Sequence, residues 1–412
     1  MSAPMARHRA AHLPPRPPSS RVRRNRAIAG GAVVVAVAVL AVVLTRTTGD
    51  REERVAATGP TPPSTTASLR GAEGPTTTGT SPAPATATPG RAAAGSPDRG
   101  RRGSGQAVTL AFGGDVHFEG QIRARLQADP SAVMAGVAPI LGGADLAVVN
   151  LETAITTRGT KPPSKQYAFR APPSAFDALR AGGVDVASMA NNHGMDYGRQ
   201  GLEDSLDAAA AEGLPVVGIG RNADEAYRPF LREVKGQRIA VLGATQVLDD
   251  DLRAAWTATD SQPGLASAKE VDRLTAAVRA ARAQADTVVV FLHWGTEGQT
   301  CPNQAQPVLA RALAEAGADV IVGGHAHRLQ GAGRLGSAFV AYGLGNFVFY
   351  ADTAPATDTG VLTVTVTGRD IDEYTWSPAR LVGQLPRPLA GAAATQARTS
   401  WEALRGCTGL TK

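Results

Sequence analysis

Five apolar residues in a row, Val288 to Leu292, fill the segment DTVVVFLH at 286 to 293 without any polar alternation. A strand with one wet face alternates apolar and polar side chains, so an unbroken apolar run demands cover on both faces. Similar runs recur as VTLAFGG (108 to 114), DLAVVN (145 to 150), VDVASM (184 to 189), PVVGIG (215 to 220), RIAVLGA (238 to 244) and DVIVGG (319 to 324). Further strands are predicted at AFVAYGLGNFVFY (338 to 350) and GVLTVTVTG (360 to 368). Between them, stretches rich in Ala, Leu, Arg and Glu predict helices at 131 to 141, 174 to 181, 199 to 212, 268 to 284 and 303 to 316. Alternating strands and helices specify an α/β fold with its helices outside the sheets. No internal repeat is evident in the chain.

Polar residues fall at particular places on this pattern. All five histidines beyond residue 106 lie at or just past the C-terminal end of a predicted strand, where open α/β sheets form their ligand crevices. VTLAFGG leads into Asp115 and His117, and DLAVVN ends in Asn150 with Glu152 soon after. VDVASM leads into Asn191, Asn192 and His193; DTVVVFL ends in His293; DVIVGG leads into His325 and His327. Taken singly, a strand-end histidine is usually structural and an Asn pair usually a turn. One shared metal site accounts for all of them together. Four imidazoles (His117, His293, His325, His327) with oxygen donors from Asp115, Glu152 and Asn192 exceed the needs of one tetrahedral ion and suit two adjacent cations. Mn, Fe and Zn all accept such a nitrogen and oxygen set. No G-x-S-x-G occurs, which disfavours a serine hydrolase, and the GIG at 218 to 220 is too short for a dinucleotide fingerprint.

The first 106 residues read differently. They carry 15 arginines against five acidic residues, a charge of +10 in a chain of +6, so the remainder is −4. The basic balance therefore belongs to the tail, and the folded region has no net field to attract nucleic acid. Residues 1 to 26 form a basic segment, predicted to be cytoplasmic, that runs into AIAGGAVVVAVAVLAVVLT (27 to 45), which contains no charged residue. As a helix this run is long enough to cross a bilayer core of about 30 Å, with the arginines on the cytoplasmic side. It predicts a single-pass signal anchor at the cell membrane. A cleaved signal peptide is the competing reading, disfavoured by the length of the run and the lack of a small-x-small site after it. Residues 46 to 106, dominated by Thr, Pro, Ala, Gly and Ser, predict a disordered linker, leaving 107 to 412 as one extracytoplasmic domain. Both cysteines, Cys301 and Cys407, fall in that domain, and an oxidising compartment predicts one disulfide between them.

The ordered set GDVH, NLE, NNH, HWG and GHAH resembles the calcineurin-like metallophosphoesterase superfamily, and more narrowly the CapA (poly-γ-glutamate capsule synthesis) family. The segments KQYAFRAPP, VVGIGRNADEA, HWGTE, GADVIVGGHAHRLQG and YGLGNFVF are similar to that family over about residues 107 to 350. The resemblance implies a four-layer sandwich of two mixed sheets between helices. It implies that Asp115, His117 and His327 hold one metal, that Asn192, His293 and His325 hold a second, and that Glu152 bridges them. His193 takes the position of a substrate-side histidine, a candidate general acid. Two departures stand out: the bridge is a glutamate where the superfamily has aspartate, and Gly324 stands where the capsule family often has a further histidine. Tyr167 and Asn346 match family positions and, with Arg170, are candidates for the substrate pocket. Lys161, Lys165 and Arg170 lie on one Pro-rich loop, where they could bind substrate carboxylates but read more readily as solvated charges, and Glu119 and Glu297 read as partners orienting imidazoles. The implied function is a metal-dependent hydrolase acting on a polymer or phosphoester outside the membrane, beside a membrane polymer synthase. Two rival readings are a non-catalytic scaffold or polymer-binding partner for such a synthase and a general metal-dependent phosphoesterase unrelated to capsule.

Overall fold

The computed structural model describes residues 102–412. The expected cytoplasmic tail and membrane segment, and nearly all of the expected linker, lie outside the described residues. No helix among the described residues is long and apolar enough to cross a membrane.

Two large sheets dominate. The first has eight strands, running in order 385–388, 370–382, 358–367, 108–116, 146–151, 186–188 and 216–217, with 346–348 also paired to 108–116. The second has six, in order 332–335, 338–341, 320–325, 287–294, 237–245 and 230–234. Each is mixed: the strands that carry the expected site pair in parallel, and antiparallel hairpins close every outer edge except that of 216–217, which pairs in parallel with 186–188.

The period of two along a strand accounts for the layering. Leu110, Phe112, Leu146 and Val148 of the first sheet share one apolar cluster with Val241, Val289, Phe291 and Val322 of the second, so these faces pack on each other. The alternate residues Ala111, Ala147, Val149 and Ala187 pack the other way, onto Leu126, Phe176, Leu179 and Leu202. Those four side chains belong to the helices Gln121–Ala128, Ser174–Ala181 and Gly198–Glu212. On the far side Leu242, Val288, Val290 and Ile321 meet Leu274, Val278, Leu309 and Leu313 of the helices Val271–Arg282 and Ala305–Ala316. The result is helix, sheet, sheet, helix, with both faces of the central strands covered, as their unbroken apolar runs require.

Several sequence expectations need correction. The strand expected over 215 to 220 is two strands in different sheets, Val216–Val217 in the first large sheet and Ile219–Gly220 paired with Gly264–Leu265, with the chain turning at Gly218, whose φ is 86°. The helix expected over 131 to 141 is two single turns, Pro130–Val133 and Ala138–Leu141. Pro139 lacks a backbone donor, so it fits the first turn of the second piece but not the interior of one continuous helix, and a Cβ on Gly136 would sit 2.7 Å from the Pro386 carbonyl oxygen. The strand expected over 338 to 350 is two strands in different sheets, Ala338–Ala341 in the second and Asn346–Val348 in the first. The chain crosses between sheets at Gly345, whose φ of 65° suits glycine. The strand Asp370–Val382, the longest among the described residues, was not expected. It pairs antiparallel with Asp358–Thr367 through a turn at Gly368, and its charged outer face conceals the apolar alternation beneath.

The disulfide forms as expected. Cys301 and Cys407 are joined, 106 residues apart in sequence, tying the loop after His293 to the turn Leu404–Cys407.

Candidate metal centre

The C-terminal ends of the parallel strands from both sheets meet at one place, and glycines let them approach. Along Val108–Val116 the pairing with Leu146–Leu151 slips by one residue between Phe112 and Asp115. A Cβ on Gly114 would lie 2.0 Å from the Gly345 carbonyl oxygen, so only glycine fits where the strand passes that turn. Beyond this bulge Asp115 stands between Asn150 and Asn346 of the flanking strands. A Cβ on Gly324 would lie 2.2 Å from Asp115 Oδ1. The glycine that looked like a missing histidine is therefore the space that the Asp115 carboxylate occupies. His325 and His327 then adopt φ values of 89° and 50°, a left-handed backbone that non-glycine residues rarely hold without a functional constraint.

Glu152 is the centre of the cluster. Its side chain is fully buried, and neither carboxylate oxygen has a hydrogen-bond partner among the described residues. His293 Nε2 lies 3.5 Å from its Oε1, His193 Nε2 3.9 Å and His327 Nε2 4.0 Å. One ligand atom each from Glu152, His293 and His325 lie within 4.8 Å of one another, and the same holds for Asp115, Glu152 and His327. Glu152 is common to both groups, the position that the resemblance assigned to a bridge. Asn192 joins the first group through Oδ1, 2.7 Å from His293 Nε2.

Burial drives the electrostatics. It pushes the Glu152 carboxyl well above its ordinary range, reinforced by Asp115, Glu297 and Asp196 and opposed by Lys165. It holds His293 well below the ordinary imidazole value, with further lowering from His325, His327 and His193. His325 is held down to about 3, again chiefly by burial. The imidazoles, held neutral, are ready to ligate without first losing a proton, whereas the Glu152 carboxyl, which burial holds toward its protonated form, would exchange its proton for a cation. The buried, partnerless His325 Nδ1, the two carboxylates and the absence of thiolates from the group fit transition-metal ions such as Mn, Fe or Zn.

Residues that received no role from sequence hold these groups in place. Asn150 Nδ2 donates to Asp115 Oδ1 at 2.8 Å and lies 3.1 Å from His293 Nδ1. Asn191 Nδ2 in turn donates to Asn150 Oδ1 at 3.0 Å, and Asn191 Oδ1 accepts from the His193 backbone N–H. Asp196 Oδ2 lies 2.5 Å from His193 Nδ1, which leaves His193 Nε2 facing Glu152. A carboxylate three residues after a candidate acid was a legible signal for such an orienting partner.

Lys165 is buried, not solvated as the sequence suggested. Its Nζ donates to the Asn192 carbonyl at 2.7 Å and pairs with Asp196 at 3.4 Å and Asp249 at 3.3 Å. Lys161 is exposed and caps the Lys165 carbonyl.

The remaining candidates are distributed around the cluster. His117 lies outside both ligand groups. Its Nδ1 accepts from the Glu119 N–H at 3.0 Å, and its ring stacks on Phe169, with Phe349 and Tyr350 beside it. Phe169 stacks in turn on His193, with ring centroids 3.9 Å apart. Asn346 is buried, with its amide engaged by His327 Nδ1 at 2.9 Å and by the Ala356 carbonyl, so it positions His327. Tyr167 is 60% exposed and lines a cleft with Tyr197, Tyr350, Phe169 and Lys161. Arg170 lies over the Tyr197 ring and donates to the Thr157 and Gly159 carbonyls, outside that lining. Glu119 accepts from Arg123 and from the Arg170 backbone N–H, so it braces the cleft wall as well as His117.

Residues 109–351 match the family described as bacterial capsule synthesis protein PGA_cap. The chain belongs to this family. Every candidate from Asp115 to Asn346 falls inside the PGA_cap stretch, while the hairpin and helix after residue 351 fall outside it. The PGA biosynthesis protein CapA of Bacillus subtilis (strain 168) is 32% identical over 249 residues, 60% of this chain and 64% of that protein. The capsule biosynthesis protein CapA of Bacillus anthracis is 34% identical over 219 residues, 52% of each chain. The chain thus spans between about half and two-thirds of the length of these curated relatives. A solved structure of a hypothetical protein from Thermus thermophilus aligns over 66% of this chain and all of its own, with 20% identity and a TM-score of 0.42.

A Gly324→Ala substitution tests the packing of Asp115. The added methyl should displace the Asp115 carboxylate, costing about 1–3 kcal/mol in stability as overpacking does, and should lower the metal content of the purified protein. Denaturant unfolding and elemental analysis measure both. Unchanged metal content would show that Asp115 is not a ligand in this position.

Proposed function

We propose that this protein is a membrane-anchored, extracytoplasmic hydrolase with a two-cation centre, acting in the assembly of a capsule or other envelope polymer. The observation that carries the reading is the buried Glu152 carboxylate, unpartnered and shared by two ligand groups. Leaving such a carboxylate without a counter-charge costs several kcal/mol, so the site calls for cations. Asp115, Glu152 and His327 would hold one, and Glu152, His293, His325 and Asn192 the other, with His117 close by in its aromatic surround. When bound, the cations supply Lewis acidity that lowers the pKa of water and offsets charge in the transition state.

The rest of the chemistry belongs to side chains. His193, oriented by Asp196 through Nδ1, presents Nε2 toward the centre and donates a proton to a leaving oxygen or nitrogen. Phe169 packs against the imidazoles of His193 and His117 and keeps water from their faces. Lys165 braces both Asp196 and the Asn192 backbone. The names of the relatives, PGA biosynthesis protein and capsule biosynthesis protein, support a polymer setting. The scissile bond is then a phosphoester or a γ-glutamyl amide, with a membrane synthase complex as partner. The uncharged run at 27 to 45, its preceding arginines and the Cys301–Cys407 disulfide support placement outside the membrane.

Asp115→Asn should abolish metal-dependent hydrolysis of a phosphoester and γ-glutamyl panel. His193→Ala should keep its metal while turnover falls by about 10²- to 10⁴-fold, the usual size of a general-acid contribution. If both variants restore normal polymer to a capsule-deficient strain, catalysis at this site is not required and a scaffold role replaces it.

Topology has its own test. Protease added to intact cells should release the folded domain by cutting within residues 46 to 106 and leave a short membrane-bound stub. Recovery of a free domain that begins near residue 45 would instead identify 27 to 45 as a cleaved signal.

A further inference from the structure

A lysine is almost never taken out of water unless it is paired, and Lys165 is 6% exposed, on the loop between Ala154–Ile155 and Arg170–Ala171. Its partners come from elsewhere in the chain. Asp196 lies in the turn between Val186–Ser188 of the first sheet and the helix Gly198–Glu212. Asp249 lies past Gln237–Thr245 of the second sheet, just before the single turn Arg253–Trp256. The Trp256 ring centroid is 5.3 Å from Lys165 Nζ. Lys165 thus ties loops of both sheets together beside the metal centre. Replacing a buried ion cluster by apolar side chains is often neutral for stability, so stability alone gives no reason to place a charge there.

The two oxygens of Asp196 are used differently. Oδ2 accepts the Phe169 backbone N–H at 2.6 Å and faces His193 Nδ1 at 2.5 Å. An ionised carboxylate only accepts, so the proton in that second bond belongs to Nδ1, and His193 Nε2 is left 3.9 Å from Glu152 Oε1. Oδ1 is buried and accepts no hydrogen bond among the described residues. What faces it is the Lys165 ammonium, at 3.4 Å. Without that charge one oxygen of a buried carboxylate would be uncompensated, which favours rotation toward water or uptake of a proton. Either change releases His193 Nδ1. Asp249, whose side chain is partly exposed, is the second carboxylate on the ammonium, at 3.3 Å.

The Lys165 loop also walls the cleft beside the centre. Lys161, Gln166, Tyr167 and Phe169 line that cleft, and Phe169 stacks on His193. One loop therefore shapes the cleft and holds the candidate acid.

We propose that Lys165 is a positioning residue for His193: it fixes the Asp196 carboxylate, and through it the imidazole that delivers a proton to the leaving group. The proposal rests on the hydrolase reading above and deepens it, because it names the step that depends on the buried lysine. In that step the bond to the leaving atom breaks, its electron pair stays on that atom, and the proton arrives from His193 Nε2. Lys165 keeps its own protons throughout.

The test compares leaving groups in the full-length protein. An aryl ester whose phenolate departs unaided needs little from an acid, whereas an alkyl ester needs a proton. Lys165→Met should lower kcat for an alkyl phosphoester about 10- to 100-fold, with KM and metal content unchanged, and for a nitrophenyl phosphoester by less than about threefold. The γ-glutamyl alkylamide and anilide make the same comparison if the amide is the bond cut. A lysine that served only the fold would lower both alike. In an Asp196→Asn background the same substitution should cost less than about twofold, because the two residues act as one unit. That double variant buries no unpaired charge, so it also serves where Lys165→Met alone fails to fold. A second readout needs neither metal nor turnover. The His193 Nδ1 proton, in its short bond to Asp196, should give a far-downfield proton resonance in chelated protein, absent from His193→Ala and lost or shifted in Lys165→Met. A wild type that shows this resonance but hydrolyses nothing contradicts the hydrolase reading, and the effect of Lys165→Met on the resonance then decides the positioning role. The proposal is overturned by an unchanged resonance in Lys165→Met, by equal losses on the two esters, or by full additivity with Asp196→Asn.

Discussion

A carboxylate buried without a hydrogen bond is among the least favourable things a fold can contain, and Glu152 is such a group, with imidazoles around it and no hydrogen-bond partner among the described residues. Much of the local architecture exists to tolerate that arrangement. The bulge before Asp115, the side-chain-free position at Gly324 and the left-handed backbone at His325 and His327 each carry a steric or conformational cost. Together they bring the strand ends of two sheets into a space that neither sheet could furnish alone. The four-layer packing makes this possible, because the sheets meet through apolar faces and leave their C-terminal edges free for polar residues.

How much of this could be read from sequence depends on the kind of signal involved. The central strands were legible because burial on both faces leaves unbroken apolar runs, as at Val288 to Leu292. The clustering of His293, His325, His327, Asp115 and Glu152 was legible because a strand end is a position that sequence fixes along with the strand. The hairpin strand Asp370–Val382 was not, since half of its side chains face water and its pattern mixes charge with aromatic residues. Lys165 was misread for a related reason: loop lysines are ordinarily solvated, and only the fold brings Asp196, Asp249 and the Asn192 carbonyl around one. Asn346 was placed in the right neighbourhood, but its engagement with His327 Nδ1 and the Ala356 carbonyl was not legible, because a motif match does not say which way an amide points.

The candidate metal centre lies wholly within the stretch shared with PGA_cap proteins. The disulfide between Cys301 and Cys407 joins the loop that follows His293, inside that stretch, to the C-terminal segment beyond it.

Metal content of wild type and Glu152→Gln, measured by elemental analysis on protein purified without chelator and compared with unfolding midpoints in chelator, tests the central claim most directly. Wild type should carry two transition-metal ions per chain. Glu152→Gln should lose at least one, yet should be no less stable than chelated wild type, because a neutral amide replaces an unpaired buried carboxylate. A metal-free wild type, or a Glu152→Gln protein that keeps both ions, would contradict it.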